Sequence, residues 1–537
     1  MRFSALWIGL GIFLSRIAGL VREKIFAHYF GNSYFADAFR VALRIPNFLQ
    51  NLLGEGALSA SMIPVYSKLL AENKSTEAEL LARNVGTWLL TLSVALCSLG
   101  VIFAPALSQF IAPGFSPEKS ELTTQLVRIF FPGVGLLVMS AWCLGILNSH
   151  HKFFLSYVAP VLWNAAIISA LLYFGPSSSQ EALIIQVSWA LLVGCLLQVV
   201  VQIPSTLKFF KVLSPTWSVQ SSATALVFKN FLPVVFSRGI VQISSWIDSI
   251  LASRLIEGSV STLSYAQTLY LLPVSLFGIS ISASELPTMS RSVGSDAEIA
   301  SALQARLKIS LTKLNFFVIP ISLIFIVFGA YLVAMIFQGG AFVSKNTLDV
   351  WYCLAASSLG LLATTESRLY ASTFYALKDT RTPLRFSILR VITSTSSAIF
   401  FAFYLPTHFP EFQNYATAGL ALGFSVAGWA EWIGLRWLLK KRIGAVPAIS
   451  LVRLKYFFSA LIAIVVSAIA FQNYRLGFFN VETFVSQTVS TQTLYRDAFF
   501  IFTLFTFTHG VLLLILKDPS MMSVIDSIAS KLIQRKR

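Results

Sequence analysis

Two arginines, Arg16 and Arg22, stand six residues apart in an otherwise apolar N-terminal run. On a helix that separation is about 9 Å of rise. The two side chains point to different sides unless the helix kinks, and Gly19 offers a place for that. Guanidinium groups stay charged and donate in a planar fork, so the pair suits a multiply charged anion such as a diphosphate. The alternative is that both are interfacial, or are tied in ion pairs to Asp37 and Glu55. Asp37 and Glu55 have two readings of their own, as salt-bridge acids that close a gate or as proton carriers. Arg40 and Arg44, at i and i+4 on one helix face, read as side chains that snorkel to lipid headgroups. Asp248 and Asp379, with the hydroxyl of Thr395, form a candidate set for a hard cation. Structural pairing of these acids with a neighbouring Lys or Arg is the competing reading. Asp379 lies in the run 375–383, which reads as a short turn ended by Pro383.

None of these residues composes a catalytic centre. There is no Walker A glycine loop, no nucleophile elbow and no HExxH pair. The five histidines and the four cysteines (Cys97, Cys143, Cys195 and Cys353) have no metal-ligand spacing, so neither a metal nor a cofactor is expected. The chain is therefore read as a transporter rather than an enzyme. Its transport is secondary, driven by the membrane potential or by an H+ or Na+ gradient.

The elements that must carry these charges follow from composition. Of 537 residues, 56% are hydrophobic and only 12% charged, against about 25% charged in soluble domains. Mean hydropathy is +0.74. A water-soluble fold of this size cannot hide so much apolar surface, so the solvent is lipid. Cutting the sequence into runs long enough to span a bilayer gives about fourteen transmembrane helices between residues 3 and 516. The net charge of +17 would suggest nucleic acid in a soluble protein. Here the bases fall between apolar runs, which is the positive-inside pattern, and nucleic acid is excluded as a partner. Lys68 and Lys74, Lys152, Lys208 and Lys211, and Lys440 to Arg442 all follow even-numbered spans, and the chain ends Arg535-Lys536-Arg537. Both termini are therefore expected in the cytoplasm. The Arg2 start resembles a signal peptide, but Arg16 and Arg22 follow with no small-residue cleavage site before them.

The segment Leu14-Ser15-Arg16 recurs as Phe236-Ser237-Arg238, and residues 59–64 recur as 282–287, six helices later. An even number of helices preserves orientation, so the halves are parallel repeats, with a site expected at their interface. The expected architecture is an all-α polytopic membrane protein of two parallel six-helix repeats around a central cavity, with two further helices. The divisions are 1–212 for the first lobe, 213–445 for the second, and 446–537 for the last two helices and a basic tail.

The run Ser15 to Glu23, with Ala36-Asp37-Ala38-Phe39, Ile45-Pro46-Asn47, Glu55 to Ser59 and Ile63-Pro64, resembles the MurJ (MviN) family of lipid II flippases. In the second half Gly258 to Ser261, Tyr265-Ala266-Gln267, Leu286-Pro287, Gly340-Ala341-Phe342 and Phe374 to Pro383 continue the likeness. That family lies in the multidrug/oligosaccharidyl-lipid/polysaccharide exporter superfamily. The resemblance implies a flippase that moves lipid II, a polyprenyl diphosphate bearing a disaccharide pentapeptide, across the bacterial inner membrane by alternating access. It implies that Arg16 and Arg22 attract the diphosphate, that Asp37 and Glu55 lie in the cavity or its gates, and that the last two helices receive the lipid tail. Cell-wall synthesis and division proteins are the implied protein partners. Where relatives often carry an arginine ahead of the helix-8 proline this chain has Thr268, and a second basic position is Gln50; Arg238 is the candidate substitute. The alternatives are a flippase for another polyprenyl-diphosphate oligosaccharide and a multidrug/cation antiporter of the same superfamily.

Overall fold

The computed structural model describes residues 2–212, 214–218, 222–291, 295–444, 446, 451–475, 491–523 and 525–526. Helices dominate, as lipid requires, because a helix satisfies its backbone hydrogen bonds within one segment. Packing divides the chain into two compact units, one of residues 1–261 with 340–342 and one of 262–339 with 343–537.

The first unit holds α1 (Arg2–Phe30), α2 (Tyr34–Leu53), α3 (Glu55–Ala71), α4 (Ser75–Ile102), α5 (Ala104–Ile111), α6 (Pro117–Ser149), α7 (Phe153–Phe174), α8 (Gln180–Leu207) and α9 (Ser222–Ser253). Pro46 inside α2 and the break at Gly54 split one span into α2 and α3. Helix α6 is the centre. It packs on α2, α3, α4 and α8, while α7 lies between α1 and α8. Gly194 of α8 explains one close approach, since a Cβ there would stand 3.0 Å from the Trp163 backbone of α7.

The second unit opens on α10 (Ser259–Pro273), whose first residues belong to the first unit, and continues through a π-helical turn at Val274–Ile279 into α11 (Ser280–Ser290). Then come α12 (Asp296–Val327), α13 (Gly329–Phe337), α14 (Ser344–Ser358), α15 (Leu361–Ala376), α16 (Arg381–Ile399), α17 (Leu405–His408), α18 (Ala416–Ile443), α19 (Leu451–Arg475) and α20 (Thr491–Ile515).

The repeat read from sequence recurs in the packing. A broken second span sits on the fourth in each half, α2/α3 on α6 and α11 on α15. A long third span is followed by a short helix, α4 by α5 and α12 by α13. The fifth and sixth spans pair closely, α7 with α8 and α16 with α18. The first compact unit runs past residue 212 to Ser261, because α9 packs on α2 and α3. A long helix joins whichever core buries it, and the sequence repeat does not decide that.

Among the described residues, nine helices are long and apolar enough to cross a membrane, or ten if the pair α14 and α15, bent by 43°, is one span. Helix α2 is not among them, because Asp37, Arg40 and Arg44 lower its apolarity. The count of fourteen read from the sequence includes such charged spans.

Helices α19 and α20 lie outside the repeat but are firmly docked. Ala460, Ala463 and Ile464 of α19 and Ala498, Ile501 and Phe505 of α20 share a core with Phe328 and Tyr331. Arg453 of α19 pairs with fully buried Glu366 of α15 at 2.8 Å, and Trp432 Nε1 donates to the same carboxylate at 2.6 Å. Removing one partner strands a buried charge, which costs about 3–5 kcal/mol. Glu366→Ala is therefore expected to lower the unfolding temperature of the purified protein sharply. The double change Glu366→Met with Arg453→Met should recover most of that loss, as read by thermal unfolding in detergent.

Candidate functional site

Three sets of buried polar contacts gather on α1 and α2, all within the first unit. The first is an ion triad. Arg22 Nη2 donates to Glu23 Oε1 at 2.5 Å. Arg40, one helix away, grips the same carboxylate with both terminal nitrogens, Nη1 to Oε1 at 3.1 Å and Nη2 to Oε2. The side chains of Glu23, Arg40 and Arg22 are 6%, 10% and 17% exposed. Aromatic faces complete the frame, with Arg22 over Trp163 at 4.9 Å and Arg40 over Phe26 at 5.0 Å. Two guanidiniums share one carboxylate, so the triad carries a net positive charge. Arg40 therefore does not snorkel to headgroups as its spacing suggested; its fork is spent on Glu23.

Arg16 lies two turns earlier on α1 and is exposed, with no ion pair among the described residues. An arginine facing hydrocarbon is costly, so exposure here is best met by water or an anion. Arg44, a turn beyond Arg40, donates to the backbone carbonyl of Ser245 on α9 and to its hydroxyl at 3.4 Å. It too is internal rather than snorkelling. Asp248, one turn along α9 from Ser245, is half-buried and within electrostatic range of Arg44.

The third set is a clamp on Asp37. Its Oδ2 takes the Lys119 ammonium at 2.9 Å and the Gly258 N–H at 2.8 Å. Its Oδ1 takes the Ser261 N–H at 2.8 Å and the Ser261 hydroxyl at 2.5 Å. These amides belong to the first turn of α10, where the helix dipole favours an anion. Gly258 has φ +87°, and a Cβ there would meet the Asn32 carbonyl at 2.4 Å, so glycine is needed. Glu257 accepts the Tyr34 N–H at 2.9 Å, and Ala341 donates its N–H to the His28 carbonyl at 2.7 Å. The α1–α2 corner is thus laced to the start of α10 and to residues 340–342. Asp37 in this arrangement is a salt-bridge acid.

Other sequence candidates scatter. Asp379 accepts the N–H of Arg381 at 3.1 Å and of Thr382 at 3.0 Å, plus the Thr382 hydroxyl at 2.7 Å, so it caps the start of α16. Those donors hold its carboxyl below the ordinary aspartate range. Thr395 lies about 20 Å further along the same helix. Asp379 and Thr395 therefore do not converge on one cation, and Asp248 is engaged near Arg44 instead. Among the described residues no cluster of three His, Cys, Asp or Glu could hold a metal. Glu55 and Arg238 fall in α3 and α9, but their side chains lie outside the described residues. Thr268 returns its hydroxyl to the Ser264 carbonyl at 2.9 Å. Sequence reasoning missed Lys119, which reads as a loop lysine, and gave Glu23 no role.

Membrane-length helices in two related halves, with charged clusters packed between helices, define a polytopic membrane protein. A family model described as "Lipid II flippase MurJ" matches residues 26–489. A "Probable lipid II flippase MurJ" of Buchnera aphidicola subsp. Schizaphis graminum is 31% identical, covering 82% of this chain and 83% of its own. A "Lipid II flippase MurJ" of Burkholderia cenocepacia is 30% identical, covering 72% and 76%. The chain belongs to the MurJ family. Among solved structures, a lipid II flippase MurJ in an inward closed conformation shares the fold with TM-score 0.75 at 24% identity, covering 95% of this chain and 99% of that one. An inward-facing multidrug MATE transporter of the MOP superfamily matches with TM-score 0.60 at 17% identity, covering 80% and 94%.

Two measurements check this geometry. Asp37→Ala removes four acceptor bonds and leaves Lys119 unpaired, a loss of about 3–5 kcal/mol for a buried pair. A cysteine replacing fully buried Ala36, beside Asp37, should then react with a soluble maleimide many times faster than with Asp37 intact. Asp379→Ala should cost about 1 kcal/mol, the usual worth of a helix cap. Because the folded carboxyl titrates below its unfolded value, the Asp379 contribution is present above the ordinary aspartate pKa. It fades as pH falls through the lowered one, so thermal-melt differences between wild type and Asp379→Ala should shrink only in strong acid.

Proposed function

We infer that this chain is a lipid II flippase, moving the lipid-linked peptidoglycan precursor from the inner to the outer leaflet of the cytoplasmic membrane by alternating access. The observation that carries the reading is the net-positive arginine group on the first two helices of a MurJ-family chain. Arg16 is exposed, Arg22 is bound to a shared carboxylate, and Arg40 supplies the second positive charge. A diphosphate is the part of lipid II that such guanidiniums suit. Arg238 remains a proposed helper from α9, and Glu55 a proposed cavity or gate acid.

Asp37 then acts as a gate latch. It holds the α1–α2 corner on the amides of α10, and its release frees that end of the bundle. With the N-terminus cytoplasmic, as the basic loops suggest, the corner faces the periplasm. The C-terminus is proposed on the cytoplasmic side for the same reason. Drive by the membrane potential, H+ or Na+ is likewise proposed, as is docking to cell-wall synthesis and division proteins.

A multidrug/cation antiporter fits less well, since cationic cargo calls for acidic or aromatic walls rather than arginines. A flippase for another polyprenyl-diphosphate oligosaccharide would use the same charge chemistry. Three experiments test and separate these readings. The intact chain should restore growth in cells depleted of their own lipid II flippase; stable insertion without restored lipid II export would defeat the reading. Arg22→Ala should weaken lipid II binding by about tenfold or more, the scale of a lost charge-assisted hydrogen bond. Purified protein should also prefer lipid II over other lipid-linked oligosaccharides.

A further inference from the structure

The triad on α1 and α2 is asymmetric, and the asymmetry has a use. Glu23 receives Arg40 through two nitrogens on its two oxygens, but receives Arg22 through a single nitrogen on Oε1. A two-point fork is harder to open than a single bond, since both hydrogen bonds must break together. Arg40 is also the more enclosed, 10% exposed against 17% for Arg22. Arg22 is therefore the arm that can leave, and Arg40 the one that stays.

We propose that Glu23 is an internal competitor for Arg22 against the diphosphate, and that Arg40 sets how strongly it competes. This rests on the reading of Arg22 as a diphosphate ligand. An incoming phosphate oxygen takes the Arg22 guanidinium from Glu23, while Arg40 keeps the carboxylate. No bond is made or broken covalently. One charge-assisted hydrogen bond to a carboxylate is exchanged for one to a phosphate, and Glu23 is never left as an unpaired buried charge. The exchange has two consequences. Arg22 stays ordered and desolvated before substrate arrives, so little side-chain entropy is lost on binding. Release on the far side is also assisted, because Glu23 reclaims Arg22 and stops the headgroup from being held too tightly. A flippase needs that balance, since its cargo must leave as readily as it enters. Glu23 and Arg40 are positioning residues in this scheme; of the three, Arg22 alone touches substrate.

The competition predicts opposite signs for changes at neighbouring residues. Full-length protein in nanodiscs would be titrated with lipid II, and transport measured in liposomes. Glu23→Gln removes the competitor's charge. Affinity for lipid II should rise, by about tenfold if one charge-assisted bond is relieved, while the maximal flipping rate falls because release slows. Arg40→Gln frees Glu23 to grip Arg22 with both oxygens, so affinity should drop although Arg40 never meets the substrate. In the double variant Glu23→Gln with Arg40→Gln the competitor is gone, so the Arg40 change should have little further effect and affinity should stay near that of Glu23→Gln. Should Glu23→Gln prove too unstable to purify, Glu23→Asp, whose shorter chain weakens the Arg22 bond, carries the same sign with a smaller rise. Unchanged or weakened binding in a folded Glu23 variant overturns the proposal. So does an Arg40→Gln loss as large in the Glu23→Gln background as in wild type, since Arg40 would then be a direct ligand. If wild type itself neither binds nor moves lipid II, the functional reading fails instead, and the two failures are distinguishable.

Discussion

A charge inside a membrane protein is tolerated only when its lost hydration is replaced. Leaving a carboxylate or guanidinium unpaired at low dielectric costs several kcal/mol or more. The first unit meets that demand without reaching neutrality. Glu23 is shared by two arginines, and Arg44 bonds a neutral backbone carbonyl with Asp248 nearby. Asp37 is matched by one lysine and by helix-end amides. The outcome is an excess of positive charge near Arg16 and Arg22 and a neutralised, fully bonded joint at Asp37. The proposed binding and latching roles thus fall on different stretches of one helix pair.

The second unit uses the same chemistry for a different end. Glu366 with Arg453 and Trp432, and Arg390 with Glu431, fasten helices to one another. Arg390 also lies over Phe424 at 4.6 Å. Each of these arginines bonds its own carboxylate, and a further arginine stands within electrostatic range of each pair, Arg436 of Glu366 and Arg368 of Glu431. The two halves thus share a packing plan, and in the amino-terminal hairpin two arginines bond one acid directly.

Much of this was legible from the chain alone, and the limits have physical causes. Lipid leaves few architectures open, so apolar runs and the repeat expose an all-helical polytopic fold. Charges in apolar runs point to α1 and α2 as the working elements. Their partners were harder to read. Glu23 follows Arg22 directly, and adjacent residues on a helix are not normally facing neighbours; a long arginine side chain closes that gap. Lys119 is 82 positions from Asp37 and follows a proline at the start of α6, where sequence suggests only a loop. The proposed trio of Asp248, Asp379 and Thr395 relied on residue type. Helix rise alone separates the last two by about 20 Å, and Asp379 is consumed by capping.

The position of Asp37 keeps the proposed latch apart from the proposed anion site. Arg40 lies three residues on, nearly one helical turn, so the two side chains sit on one side of α2 but at successive levels. Asp37 reaches the α10 amides and Lys119, whereas Arg40 reaches back to Glu23 on α1. A rigid helix joins them, so any rotation of α2 that opens the Asp37 bonds also displaces Arg40 from Glu23. The competitor for Arg22 would then be strengthened as the corner opens. Charge at the proposed binding arginine and closure at the proposed latch would in this way be tied through one turn of helix, without a dedicated coupling element.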